Sequence, residues 1–218
     1  MKDLAVGTKL NYSSISSTLN GLELKDFVYR ESNKYFLSNS LKVQMKHILE
    51  LKDVVNLLNK FFNLVDGHVV EMMPKQSVYE LHLLNESNLL ESGGINAYNI
   101  YDYIEGVLDG AAKVQCILPF YHLDLNKKLN EMVDNHKTVE IMVSHEVFEI
   151  YEEKSKIKYL SSFKGKNTFL LIVTDKMMIL GLFKQNGQFD QNRLLTSKNK
   201  NSIKWAKNLF KNFKKINK

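Results

Sequence analysis

The amino-acid sequence predicts an α/β protein with a small helical front end, one long helix and a C-terminal α/β sheet domain. Three observations predict it. Short helical patterns and a hairpin fill the first part of the chain, and a long apolar pattern at steps of three and four fills residues 40–65. From Ala97 onward, apolar runs with strand character alternate with amphipathic helical stretches, the signature of a sheet covered by helices. The expected parts are residues 1–40, a connecting or dimerisation helix with its linker at 41–74, and the α/β domain at 75–218.

Residues 2–10 form a short apolar-striped helix through Leu4, Val6 and Leu10, and Lys9–Asn11 form a turn. Asn11 or Ser13 can cap a second helix by accepting one of its free N–H groups. In that helix Ile15, Leu19 and Leu22 share a face, and Tyr12, Ser13, Ser14, Ser17 and Thr18 lie on the others. Phe27–Tyr29 and Tyr35–Leu37 read as strands joined by the polar Arg30–Lys34 segment, hence a hairpin.

Residues 40–65 carry Leu41, Met45, Ile48, Leu51, Val55, Leu58, Phe62 and Val65 at steps of three and four, with Val54, Leu57, Phe61 and Leu64 beside them. So wide a stripe predicts a helix buried on most of its surface, as a core helix or as a dimerisation or domain-joining helix. Glu71–Pro74 opens a connecting segment, Leu81–Leu84 and Leu89–Leu90 are apolar islands, and Gly93–Gly94 marks a loop. The remainder reads helix at Ala97–Leu108, strand at Val114–Leu118, helix at Asn126–Asn135, strand at Val139–Val143 and helix at His145–Glu153. Strands follow at Ile157–Phe163, Phe169–Thr174 and Met177–Phe183. That order implies a sheet that is parallel at first and ends in a hairpin. Residues 199–217 form an amphipathic helix with Ile203, Ala206, Leu209, Phe210, Phe213 and Ile216 on one face, lysines opposite, and Trp205 at the edge of the apolar face.

Composition narrows the function. No apolar run approaches the roughly 20 residues of a membrane span, and the opening residues lack the long apolar stretch of a secretory signal. A cytoplasmic protein is expected. The single cysteine, Cys116, excludes an internal disulfide and reads as a buried thiol in the run Val-Gln-Cys-Ile-Leu. The formal charge is +6, but residues 198–218 hold eight lysines and no acid, so positions 1–197 carry 22 basic and 24 acidic groups, a net of −2. The basic excess is therefore the solvated face of a terminal helix, not a property of the whole chain.

The front end resembles the winged helix-turn-helix pattern common in prokaryotes. A serine-rich helix runs into Leu19-Asn20-Gly21-Leu22-Glu23, then Val28-Tyr29-Arg30 and Tyr35-Phe36-Leu37-Ser38. The second half is similar to the middle domain of archaeal winged-helix transcriptional regulators of the methanogenesis-regulator type. Gly106–Ala112 leads into the strand at Val114–Leu118, and Gly181-Leu182-Phe183, Gly187-Gln188-Phe189-Asp190, Leu194–Ser197 and Trp205-Ala206 close the chain. Ala206 stands where the family usually has glycine. The resemblance covers nearly the whole chain and implies a DNA-binding module joined to an effector domain. It also implies a helix ahead of the first pair; Met1 falls almost at the start of the helix-turn-helix, so an upstream start is expected, with Leu4, Ile15 and Leu22 losing part of their cover.

For DNA contact the candidates are Asn11, Tyr12, Ser13, Ser14, Ser17 and Thr18, at the start of a helix that can enter the major groove. Short hydroxyl side chains there reach base edges or phosphates. Arg30 and Lys34 flank the wing and would neutralise phosphates. Residues 1–45 hold six basic and four acidic groups, a net of +2, so a homodimer is expected to grip double-stranded promoter DNA where a monomer grips weakly. For a small effector the candidates are Phe120, Tyr121, His122, Ser144 and His145, at the C-terminal strand ends where ligands of such sheets sit.

The tandem of strands and helices also resembles phospholipase-D-like sensor domains, but the His-x-Lys signature of those enzymes is absent from the sequence. None of the six histidines has metal-ligand spacing, and no phosphate-binding glycine loop or nucleophile elbow occurs. No metal, cofactor or catalysis is expected. The competing expectation is a small-molecule-binding or enzymatic α/β protein with a DNA-binding remnant.

Overall fold

The computed structural model of the chain describes residues 2–92, 99–164 and 169–217. The Gly93–Gly94 loop and the first residues of the helix expected from Ala97 lie outside them. By internal packing the chain divides into two compact units, Met1–Asp53 and Val54–Lys218.

In the first unit α1 (Lys2–Thr8) has no buried residue. It ends where Lys9 enters the left-handed region at φ 57°. Asn11, rather than Ser13, caps α2 (Tyr12–Glu23), its side-chain oxygen accepting the Ser14 N–H at 2.8 Å. Ile15 and Leu19 are buried, and so is Val28 of β1 (Val28–Glu31); these three make the unit's small core. Ile15 thus keeps the cover it was expected to lose, whereas Leu4 is 41% exposed. β1 pairs antiparallel with β2 (Lys34–Leu37), from Val28↔Leu37 to Glu31↔Lys34. The turn residues Ser32 and Asn33 both have positive φ, 46° and 64°, the two-residue turn whose twist matches that of the strands.

The long helix α3 (Asn39–Lys60) starts with the Ser38 hydroxyl accepting the Leu41 N–H at 3.1 Å. Within the single chain α3 is not buried on most of its surface, as it would have to be under the core-helix alternative. Leu57 alone is fully buried along α3, while Val43, Ile48, Leu51 and Val55 are about half exposed or more. Within the chain the stripe finds full cover only from Leu57 onward, inside the second unit. Nor is 40–65 one helix: Phe61, at φ −116° and ψ 27°, separates α3 from the short α4 (Phe62–Asp66).

The second unit continues with α5 (Lys75–Tyr79), a 3-10 turn at Leu81–Leu84, β3 (Asn88–Glu91), α6 (Asn99–Asp109), β4 (Lys113–Leu118), α7 (Leu123–Asp134) and β5 (Thr138–Ser144). A 3-10 turn at His145–Val147 leads into α8 (Phe148–Lys154), then β6 (Tyr159–Phe163), β7 (Phe169–Thr174), β8 (Met178–Leu182), β9 (Arg193–Ser197) and α9 (Lys200–Ile216). The strands form one sheet in the order β3-β9-β8-β7-β4-β5-β6. β4–β5 and β5–β6 are parallel and the other pairs antiparallel. The parallel start and the closing hairpin agree with the sequence; β3 and β9, which extend the sheet past the hairpin, were not expected as strands.

Alternation along the strands divides the core in two. Ile117, Met142, Leu171, Val173, Met178 and Leu180 face a cluster with Leu57, Phe61 and Leu64 and the buried side of α9. Cys116, Ile141, Val143, Ile172 and Ile179 face the other cluster with residues of α6 and α7 and Tyr151 of α8. Burial pushes the Cys116 thiol pKa up, which keeps it protonated and inert. Trp205 is not at an edge: it is fully buried, and its Nε1–H donates to the Ser77 carbonyl at 2.8 Å. Ile216, on the same helical face as the buried residues, is 70% exposed because it sits at the last turn, past Phe213.

Candidate nucleic-acid interface and effector site

In the first unit the N-terminus of α2 has three unequal kinds of polar group. Asn11 is occupied: its side-chain oxygen accepts both the Ser14 N–H and, at 2.9 Å, the Ser13 hydroxyl. The Thr18 hydroxyl turns back to donate to the Ser14 carbonyl at 2.8 Å. Tyr12, Ser13, Ser14 and Ser17 are exposed along the helix. The Ser13 hydroxyl is engaged with Asn11, so Asn11 and Ser13 hold the helix start and Tyr12, Ser14 and Ser17 are the groups best placed to meet a ligand from outside.

On the hairpin, Arg30 donates to the Asn33 side chain at 2.6 Å and lies over the Tyr35 ring at 5.8 Å. That holds its guanidinium beside the turn. Lys34 is exposed. The opposite face of the hairpin bears a pair that sequence reasoning missed, Tyr29 stacked on Phe36 with ring centroids 5.6 Å apart. Both rings stay about 40% exposed. The two residues sit at paired positions in the register, a signal available in the sequence once the turn is placed at Ser32–Asn33.

In the second unit the expected effector residues are largely engaged in packing. Phe120 contacts the Phe189 ring at 4.8 Å and the Phe183 ring at 6.4 Å. Tyr121 meets Tyr151 edge-on at 5.1 Å. His122 caps α7, Nδ1 accepting the Leu125 N–H at 3.4 Å, and stacks on Tyr101 with ring centroids 4.0 Å apart. The Ser144 hydroxyl accepts the Glu146 N–H at 3.4 Å and is buried, whereas His145 is exposed. Phe120, Tyr121 and His122 thus each pack on a different aromatic partner, Phe189, Tyr151 and Tyr101 in turn. Burial raises the pKa of both Tyr101 and Tyr151, and the Tyr151 hydroxyl donates to the Phe120 carbonyl at 3.4 Å. A larger open groove of about 520 Å³ lies elsewhere, lined by Glu86, Asn88, Tyr103, Met177, Lys198 and Asn199 among others.

A buried polar pair also went unseen in the sequence. His68 and Asp190 are both almost fully buried, with Nε2 and Oδ2 2.9 Å apart. Oδ1 of Asp190 accepts the Asn192 N–H at 3.0 Å, and Lys184 and Arg193 approach its carboxylate at 3.9 Å. Close by, the Val69 N–H donates to the Phe183 carbonyl at 2.9 Å. Together these bonds tie the segment after α4 to the connection between β8 and β9. Asp190 belongs to a motif visible in the sequence, but nothing marks His68 as its partner across such a separation.

Among the described residues no group of three or more potential ligands could hold a metal ion, and no helix is long and apolar enough to cross a membrane. Residues 98–216, more than half of the chain, match the family model described as the methanogenesis regulatory protein FilR1, middle domain. No curated protein matches the chain. Among solved structures, the chain is similar to TrmBL2, described as an archaeal chromatin protein with a novel mode of DNA binding. The identity is 14% and the TM-score 0.47, over 95% of this chain and 83% of that one. It is also similar to NucT from Helicobacter pylori, at 13% identity and TM-score 0.47 over 60% of this chain and 96% of that one. A third likeness is to the phospholipase D family member Nuc from Salmonella typhimurium, at 11% identity and TM-score 0.40 over 60% of this chain and 92% of that one.

Proposed function

This chain belongs to the family defined by the middle domain of the methanogenesis regulatory protein FilR1, and on that premise we propose that it is a dimeric, DNA-binding transcriptional regulator whose α/β domain senses a small effector. The observation that carries the DNA-binding half is the first unit itself. There a capped helix with exposed Tyr12, Ser14 and Ser17 precedes a hairpin that presents Arg30 and Lys34. A helix of that kind enters the major groove, its hydroxyls read base edges, and the cations beside the hairpin bind phosphate. Effector binding would shift the population between two conformers that differ in affinity for paired half-sites. Catalysis forms no part of this reading.

The test is binding of the full chain to its own upstream promoter DNA and to random DNA, by fluorescence anisotropy at two salt concentrations. Salt-dependent binding with a preference for promoter is expected. Replacing Ser13, Ser14 and Ser17 together by alanine should reduce that preference roughly tenfold or more, because base contacts carry about 1–3 kcal/mol of discrimination each. Binding to random DNA should change far less. A triple variant that keeps its full preference for promoter removes α2 as the reading helix.

A further inference from the structure

Between the end of the long helix and the sheet lies a cavity of about 70 Å³. Leu57, Phe61 and Leu64 form one wall, Val78 and Leu84 another, and Leu180 the floor. Every residue that lines it is apolar, and all of them belong to the second unit. Most are buried, but Val78 is 38% exposed and marks the mouth. We propose that this cavity is the binding site for a small, uncharged, hydrocarbon-like molecule, and that this molecule is the effector; the second statement rests on the regulatory reading above.

The chemistry of the walls selects the class. A cavity without polar lining offers a water none of the partners it needs, so it stays dry and takes apolar guests. The volume is about half the roughly 150 Å³ of an apolar cavity that takes benzene, enough for a guest of about three carbons. A hydroxyl or carboxylate on the guest would go unpaired inside, which weakens binding about tenfold or more for each such group.

The position supplies the coupling. Phe61 lines the cavity and is also the residue at which the helix breaks, at φ −116°. The break is local, since the Phe61 N–H still bonds the Leu57 carbonyl at 2.9 Å and the Val65 N–H the Phe61 carbonyl at 2.9 Å. A guest pressed against Leu57 and Phe61 therefore acts on the last turn of α3, a helix whose first turns belong to the unit with the exposed hydroxyl row. A packed element with two arrangements is what a ligand can bias.

The experiment uses the full chain and cyclopropane as the probe. Trp205 is the only tryptophan, and its Nε1–H bonds the carbonyl of Ser77, the residue before Val78, so its emission reports on the cavity wall. Saturable binding is expected, with a rise in Tm. Val78→Phe, which closes the mouth, and Leu195→Phe, at a further lining residue beside Leu180, should each abolish it, both variants being checked for folding by circular dichroism. Saturating cyclopropane should change affinity for promoter DNA by about fivefold or more. Absence of saturable binding in the unaltered chain overturns the site, as does undiminished binding in a folded filled variant. Binding with no change in DNA affinity overturns the effector role. A chain that binds no DNA under any condition breaks the regulatory reading instead, and the tryptophan titration still decides the cavity.

Discussion

Burial alone would drive the carboxyl of Asp190 toward its neutral form. The backbone N–H of Asn192, the His68 ring and the Lys184 ammonium outweigh that desolvation and hold its pKa below the ordinary aspartate value. The sign of the consequence follows from linkage. Because the folded-state pKa is depressed, the stabilisation by the ionised carboxylate is complete above the unfolded value. It is lost as pH falls through that value toward the lower folded one. Asp190→Asn should cost about 2 kcal/mol at neutral pH by weakening charge-assisted bonds, a drop of roughly 4–8 °C in Tm for a chain this long. The gap between the two proteins should stay level from neutral pH to about pH 5 and close below about pH 4. Thermal unfolding across that range measures it, and a gap that persists unchanged to pH 3 would show that shape rather than charge holds the carboxylate in place.

The helix α3 is the element on which sequence and structure part most usefully. Its apolar steps are real, yet Val43, Ile48, Leu51 and Val55 are exposed, a pattern that fits the dimeric reading better than that of a core helix. Leu51→Glu, at 63% exposure, should leave helix content intact and convert a dimer to monomer in sedimentation analysis. A chain that is monomeric before the substitution, or a variant that keeps its partner, rules out this stripe as the interface. Periodicity identified the helix but not what covers it, because burial is decided by the partner surface. The same limit explains the other differences. β3 has only Leu89 and Leu90 between polar neighbours, too short a run to show alternation, and becomes a strand because Arg193–Ser197 offers it a ladder. The pattern of α9 alone places Trp205 at an edge because it does not show that the Ser77 carbonyl and α5 close over it. The cap at Asn11, the hairpin and the parallel β4–β5 pair were legible because they rest on local chemistry or on long apolar runs. Of the candidate sites, the hydroxyl row could be read from spacing. The cavity could not, since its walls come from segments more than a hundred residues apart.

The two units differ in how much they bury, and that difference has a kinetic consequence at the scale of the molecule. The first has Ile15, Leu19 and Val28 as its enclosed apolar residues, whereas the second fills both sides of a seven-stranded sheet. Hydrophobic burial supplies most of the stability of a unit, so the first should open by local unfolding long before the second. Hydrogen exchange on the full chain should therefore find α2 amides exchanging roughly a hundredfold or more faster than those of β4, β7 and β8. If the proposed function is right, promoter DNA will slow exchange in α2 and the hairpin by mass action, because it binds only the folded form, and leave the central strands nearly untouched. Equal protection of α2 and β7 without DNA would mean that the front end needs no partner to stay folded. Such a result would detach the exposed stripes of α2 and α3 from any role in stabilising an assembly, while protection of α2 that rises only with DNA would tie its stability to the surface it reads.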